Sequence, residues 1–288
     1  MPFLPAHDGA PDDDMDGRLI CLFCFAFSGA LKSAEGTGLD GRSPLQTHVH
    51  GALAALISEV DSAMFCGEET AERLQDINWV APLACRHAQI ISDAMRLSPV
   101  FPARFGSLFS SREKLDRFIS IHEDTILTFL EHTRGQNEWG VKVFFDRSKM
   151  LDSMTAAALK EQEADLPKSP GARYLHEQRI RHGLEKRVDA RARTMRIAIA
   201  DALEIHASES GERKITRGEG AEEGRTLIAN LAYLVPGASL EAFHEEETRL
   251  NAEYATEGIV LETTGPWPPY SFTPPIGDEA VRENADRE

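Results

Sequence analysis

The sequence predicts an α+β protein of two domains, and three observations carry the prediction. Short apolar runs suited to strands alternate with longer segments whose apolar residues recur every three or four positions, the helical period. The elements fall into two sets that meet near residue 136: strands followed by two late helices, then a β–α–β–β–α–β series. A chain of 288 residues, 42% hydrophobic, holds enough apolar material for one large or two ordinary domains.

In order along the chain, residues 1–17 (MPFLPAHDGAPDDDMDG) are acidic and rich in Gly and Pro, and read as a disordered leader. The run from 18 to about 28, containing LICLFCFAF, is apolar on both faces and reads as a central strand. Residues 32–47 carry four loop-forming Gly or Pro positions, and 53–60 is a second strand, with helix as the alternative for so short a run. Val80, Leu83, Ala84, His87, Ile90, Ile91, Ala94 and Met95 mark a helix with Pro82 in its first turn. VFPARFGSLF (100–109), broken by Pro102 and Gly106, reads as an edge or bulged strand. Ser110 and Glu113 have capping-box spacing for a helix running to about 133.

The second domain, 137–272, starts with EWGVKVFFD as a strand. A mostly helical region from 149 to 207, broken near Pro167 and Pro170, leads to a short strand at 212–217 and an apolar strand at 226–235. A helix at 240–254 and a strand at 258–264 complete the βαββαβ order of a ferredoxin-like domain, here with a long helix. The proline-rich segment TTGPWPPYSF (263–272) follows, and 273–288 reads as a disordered tail.

Composition removes several function classes. A net charge of −16 opposes general affinity for nucleic acid and for anionic lipid, since both need cations. The longest apolar run, 19–30, falls well short of the ~20 residues a membrane span needs. Asp12, Asp13, Asp14 and Asp16 just ahead of it are the wrong flank for a signal peptide, so the chain reads as cytoplasmic. Cys21 and Cys24 have CxxC spacing, but in a regular strand positions three apart point to opposite faces, so they read as core cysteines and not as a zinc or redox pair.

Candidate chemistry is thin. No GxSxG, HExxH, Walker A or GxGxxG stands where its mechanism requires it. His48 and His50 read as surface histidines, or as two ligands on one strand face that lack a third. His87 lies on an apolar helix stripe, where a hydrogen-bonded core histidine is the ordinary reading and a ligand or base the other. Arg104 is a cation in an apolar strand, free to take a ligand carboxylate, an internal carboxylate or solvent. HEEETRL (244–250) reads as a solvated helix face. Residues 173–196, including Arg187 and Arg191, hold eight Lys or Arg against three Asp or Glu. Such a helix pairs with the protein's own acids, meets an acidic protein, or binds nucleic acid.

Four stretches in order, PARFGSLF (102–109), EWGVKVF (138–144), AYLV (232–235) and GPWPPYSF (265–272), together resemble the gas vesicle accessory proteins of the F/L type. The resemblance spans about 18–272 and is most distinctive at GPWPPYSF. It implies two α+β domains, the second ferredoxin-like, and a non-enzymatic accessory role in gas vesicle assembly. It further implies binding to the small, apolar major shell protein and to other accessory proteins, and presence as a minor vesicle component. It supplies no catalytic residue, no cofactor and no metal. Arg104, Phe105, Lys142, Trp267 and Tyr270 lie in the matching stretches and, with Arg187 and Arg191, are the candidate partner-binding residues.

Two other function classes stay open from sequence: a nucleic-acid-binding or regulatory protein using 173–196, and a small-molecule enzyme with a site around Arg104 and His87. For GPWPPYSF the expectation is a strand that leaves its sheet at Gly265-Pro266 and lays Trp267, Tyr270 and Phe272 back onto the protein. An exposed partner-binding segment is the alternative.

Overall fold

The structure, a computed structural model, describes residues 17–32, 35–65, 73, 75–215 and 224–277. The leader through residue 16, Cys66 and the tail from 278 lie outside these. The chain forms two units: one runs up to Gly135 and takes up the chain again from Pro268, and the other is Gln136–Trp267. Both are mixed helix and sheet, as the composition and pattern require.

In the first unit β1 (Arg18–Phe27) pairs antiparallel with β3 (Leu53–Asp61), which pairs with β2 (Gln46–His50). The other side of β1 carries two dipeptide strands, β4 (Phe101–Pro102) and β5 (Leu108–Phe109). A four-residue helix α1 (Ser62–Phe65) follows β3. Helix α2 (Ile77–Met95) covers one face of the sheet and α3 (Arg112–His132) the other. That double cover is why β1 is apolar at nearly every position.

β1 departs from strict alternation. Its pairing with β3 shifts register between Leu22 and Cys24, a β-bulge. Leu19, Cys21 and Phe23 face α2, and the extra residue puts Cys24 and Ala26 on that same face, while Ile20, Leu22 and Phe25 face α3. The two cysteines therefore share a face, contrary to the expectation from an unbroken strand. Both are free and buried, and burial pushes each thiol up to about 12, so they act as small core side chains.

Local chemistry accounts for the helix ends. Asp76 caps α2 by accepting from the Asn78 N–H, which moves Pro82 out of the first turn into the helix interior. Ser111, one residue beyond the expected Ser110, caps α3 by accepting from Lys114 N–H at 3.3 Å.

The second unit is β6 (Gln136–Phe145), α4 (Arg147–Glu161), α5 (Pro170–Glu204), β7 (Glu209–Glu212), β8 (Thr226–Pro236), α6 (Leu240–Tyr254) and β9 (Ile259–Trp267). The sheet order is β7-β8-β6-β9 with all neighbours antiparallel, the ferredoxin-like arrangement. α5 buries Leu184, Val188, Ala192, Met195, Ile199 and Leu203, a stripe at three-and-four spacing, against the sheet and α4. The outer edge of β9 is closed at Leu261, whose N–H and C=O are both bonded by the Asn251 side-chain amide (2.8 and 3.1 Å).

Two sequence expectations change here. β9 keeps its pairing with β6 as far as Trp267, opposite Glu138, through a bulge; it does not leave the sheet at Gly265. Residues 273–277, placed from sequence in the tail, make contacts within the first unit: Thr273 Oγ1 donates to Pro269 O at 2.8 Å and Ile276 packs on the α3-side core.

Candidate partner-binding surfaces

The first group of candidates lies on the β4–β5 turn. Gly106 takes φ +86°, a left-handed conformation that a side chain disfavours. Ser107 N–H and Oγ both donate to Arg104 O (3.1 and 2.8 Å), which closes the turn. The Arg104 side chain is exposed. Phe105 is half-buried, its ring edge-on to His87 at 5.7 Å. The open strand edge expected here is two dipeptides flanking a turn, with no N–H at Pro102, and this limits it as a template for an added strand.

His87 is buried between Phe23 and Phe105 and donates from Nε2 to Leu22 O at 3.3 Å, beside the β1 bulge. Burial lowers its pKa from 6.5 to about 4, so the ring is neutral at pH 7. It is a hydrogen-bonded core histidine, while Arg104 faces solvent, so the two do not converge on a substrate. Between pH 6.5 and 4 the unfolded chain binds a proton that the folded chain does not. Stability is therefore expected to fall as pH drops through that window, by up to about 1.4 kcal/mol per unit from this residue. Thermal melts across it should show a shallower acid loss for His87→Phe than for the parent; equal slopes would refute the assignment.

His48 and His50, read from sequence as lying on the approach to the strand at 53–60, stand on one face of β2. His48 Nε2 lies 2.6 Å and His50 Nδ1 3.0 Å from Asp116 Oδ1 on α3. Arg112 donates to His48 Nδ1 at 3.2 Å and to Gln46 Oε1 at 2.6 Å. Since Arg only donates, His48 carries its proton on Nε2 and gives it to Asp116. This contact holds the Asp116 carboxyl below its usual range. The network straps the edge strand to its helix. Among the described residues no group of three or more His, Cys, Asp or Glu is placed to hold a metal.

In the second unit EWGVK has a structural logic that the sequence did not disclose. Glu138 is buried and accepts from the guanidinium of Arg213, just past β7. Gly140 makes room for that guanidinium: a Cβ there would sit 2.9 Å from Arg213 Nη1. Trp139 points to the opposite face and packs edge-on against His244 of α6 at 4.6 Å. Lys142 is half-buried on the Glu138 face, between Asn230 and Glu262 on the neighbouring strands.

The C-terminal segment reverses the expected burial. Pro268 and Pro269 are buried, whereas Trp267 and Tyr270 are each 40% exposed. Trp267 Nε1 donates to Thr264 Oγ1 at 3.2 Å. Only Phe272 lies back as expected, on the first unit's α3-side core.

On the basic helix, Arg191 makes a bidentate pair with Glu257 (2.9 Å to each oxygen), Arg196 pairs with Glu212 at 3.0 Å and Arg181 with Asp152. Arg187 is exposed. Internal pairing thus accounts for part of the positive charge. HEEETRL is solvated only in part: Glu245, Thr248 and Arg249 are exposed, with Arg249 bonded to Glu246 and Glu253, while Leu250 is buried and His244 packs on Trp139.

Comparison with known proteins bears on both units. A family model described as gas vesicle synthesis protein GvpL/GvpF matches residues 19–274. Gas vesicle protein L of Streptomyces sp. (strain CB03234) is 28% identical, over 90% of this chain and 93% of the relative. Gas vesicle protein L2 of Halobacterium salinarum is 27% identical, over 94% of this chain and 96% of its own. The crystal structure of gas vesicle protein GvpF from Anabaena sp. PCC7120 superposes with a TM-score of 0.65 at 16% identity, covering 90% of this chain and 97% of that one. These likenesses extend over both units rather than resting on one.

Proposed function

The chain belongs to the gas vesicle synthesis protein GvpL/GvpF family, and we propose that it serves gas vesicle formation as a non-enzymatic accessory protein binding the small apolar major shell protein and other accessory proteins. The observation that carries the reading is the family match over residues 19–274, which includes both units. A shell subunit that assembles through apolar strands exposes edges that aggregate while it is free. A strongly charged binder holds such subunits apart until they join the growing wall. Arg104 and Phe105 on the β4–β5 turn, Lys142, and the exposed Trp267 and Tyr270 are its contact candidates in the two units. On this reading the protein stays with the vesicle as a minor component. No helix among the described residues is long and apolar enough to cross a membrane.

Two measurements in a gas-vesicle-forming host test this. Deletion of the gene is expected to abolish vesicles, with recovery when the chain is supplied. The tagged chain is expected to co-purify with the major shell protein. Recovery of vesicles without co-purification would remove shell binding from the reading while leaving the assembly role.

A further inference from the structure

Helix α5 sorts its cations onto two sides. Beside its buried stripe, Arg181, Arg191 and Arg196 each reach a carboxylate of the same unit. On the opposite side residues 175, 179, 182, 186, 190, 193 and 197 recur every three or four positions, which aligns them along one exposed line. That line contains no acid. It carries Arg179, Lys186 and Arg193 between Leu175 and Ile197, which are 66% and 53% exposed. Among the described residues no carboxylate pairs with any of those three cations. His182, also on the line, has Glu185 at 3.4 Å, off to its flank. The two aliphatic ends stand about 33 Å apart along the axis.

In a chain of net charge −16, a row of unpaired cations bounded by exposed aliphatic side chains is complementary to one kind of partner. We propose that this line docks an acidic amphipathic helix of another polypeptide. Its carboxylates would face Arg179, Lys186 and Arg193, and its aliphatic side chains would cover Leu175 and Ile197. Beside Arg193 lies a hollow of about 360 Å³ lined by Phe145, Ala192, Thr226 and Ile228, together with Arg196 and the Arg147–Asp189 ion pair. It takes one larger apolar side chain of the partner as an anchor. Phosphate backbones gain nothing from the aliphatic ends, and the remainder of the chain repels them.

Fluorescence anisotropy of the full chain tests the proposal with three probes: a labelled helical peptide with Glu at three-and-four spacing between Leu ends, its Lys-for-Glu counterpart, and a short DNA duplex. The acidic peptide alone is expected to bind. Combining Arg179→Glu, Lys186→Glu and Arg193→Glu should weaken it about tenfold or more, with far-UV circular dichroism and melting unchanged, because these side chains make no internal pair. Leu175→Ser with Ile197→Ser should weaken it as well, and Arg173→Glu, exposed but off the line, should leave it within about twofold.

Peptide binding indifferent to the triple substitution, or no binding by the parent, would overturn the proposal. DNA capture with a steep salt dependence that the triple variant loses would reassign the line to nucleic acid. A parent dimer that the triple variant dissolves would reassign it to self-association. The proposal rests on the helix alone, so failure of peptide binding leaves the vesicle-recovery and shell co-purification outcomes unaffected.

Discussion

Arg213→Ala is expected to destabilise the second unit by about 3–5 kcal/mol, the usual penalty for stripping a buried carboxylate of its cation. The Glu138 side chain is 1% exposed and accepts from Arg213. Arg213 is held in place by its own main-chain N–H, which donates to Asn230 O at 2.7 Å, extending the β7–β8 ladder by one residue. Its guanidinium lies over Gly140, where any side chain would collide with it. Adding Glu138→Gln to Arg213→Ala should recover a large part of the loss, because the neutral amide no longer brings a buried charge. Urea unfolding of the parent, both single variants and the double variant gives the coupling. If Arg213→Ala lies within about 1 kcal/mol of the parent, the pair carries no such weight.

The second large effect is expected at Gly265. It adopts φ +149°, a region L-residues rarely enter. A Cβ there would lie 2.8 Å from Trp139 Cε3 and 3.1 Å from Glu138 O. Trp139 has little room to retreat, because His244 stands 4.6 Å from its ring on another side. Backbone strain and overpacking together put Gly265→Ala at about 2–4 kcal/mol. Combination with Trp139→Leu should cost less than the sum of the two, since the smaller side chain relieves the clash and leaves only the backbone share. A thermal midpoint for Gly265→Ala equal to the parent's would show that the bulge absorbs the extra carbon.

These two sites explain why parts of the chain were legible from sequence and others were not. The centrality of β1 could be read directly, since only a strand covered on both sides tolerates LICLFCFAF. The stripes of α2, α3 and α5 were equally visible, because helical periodicity is local and survives whatever the helix packs against. The ferredoxin-like order of the second unit followed from element order alone. The β1 bulge was not visible: it is a register event with β3, and it put Cys21 and Cys24 on one face where uniform alternation separates them. The tie between the β2 histidines and α3 was not visible either, because their partners, Asp116 and Ser120, lie 68 and 70 residues away. In GPWPPYSF, bulk and hydrophobicity argued for burying the aromatic residues. The bulge at Gly265 and the turns after it instead bury Pro268 and Pro269 and leave Trp267 and Tyr270 in reach of solvent.

The candidate surface divides in the same way. That 173–196 is a basic helix follows from composition, since charge and helical period are properties of neighbouring residues. Which of its cations are spent and which remain was decided by chain segments elsewhere in the unit: Asp152, Glu212 and Glu257 arrive from α4, β7 and the turn after α6. Sequence by itself determined the elements, the α+β class and the family stretches, because each depends on short-range pattern. Tertiary structure alone decided which glycines clear a path for a neighbour, which charges are paired and which aromatic residues stay exposed, because each depends on groups that meet only when distant segments pack.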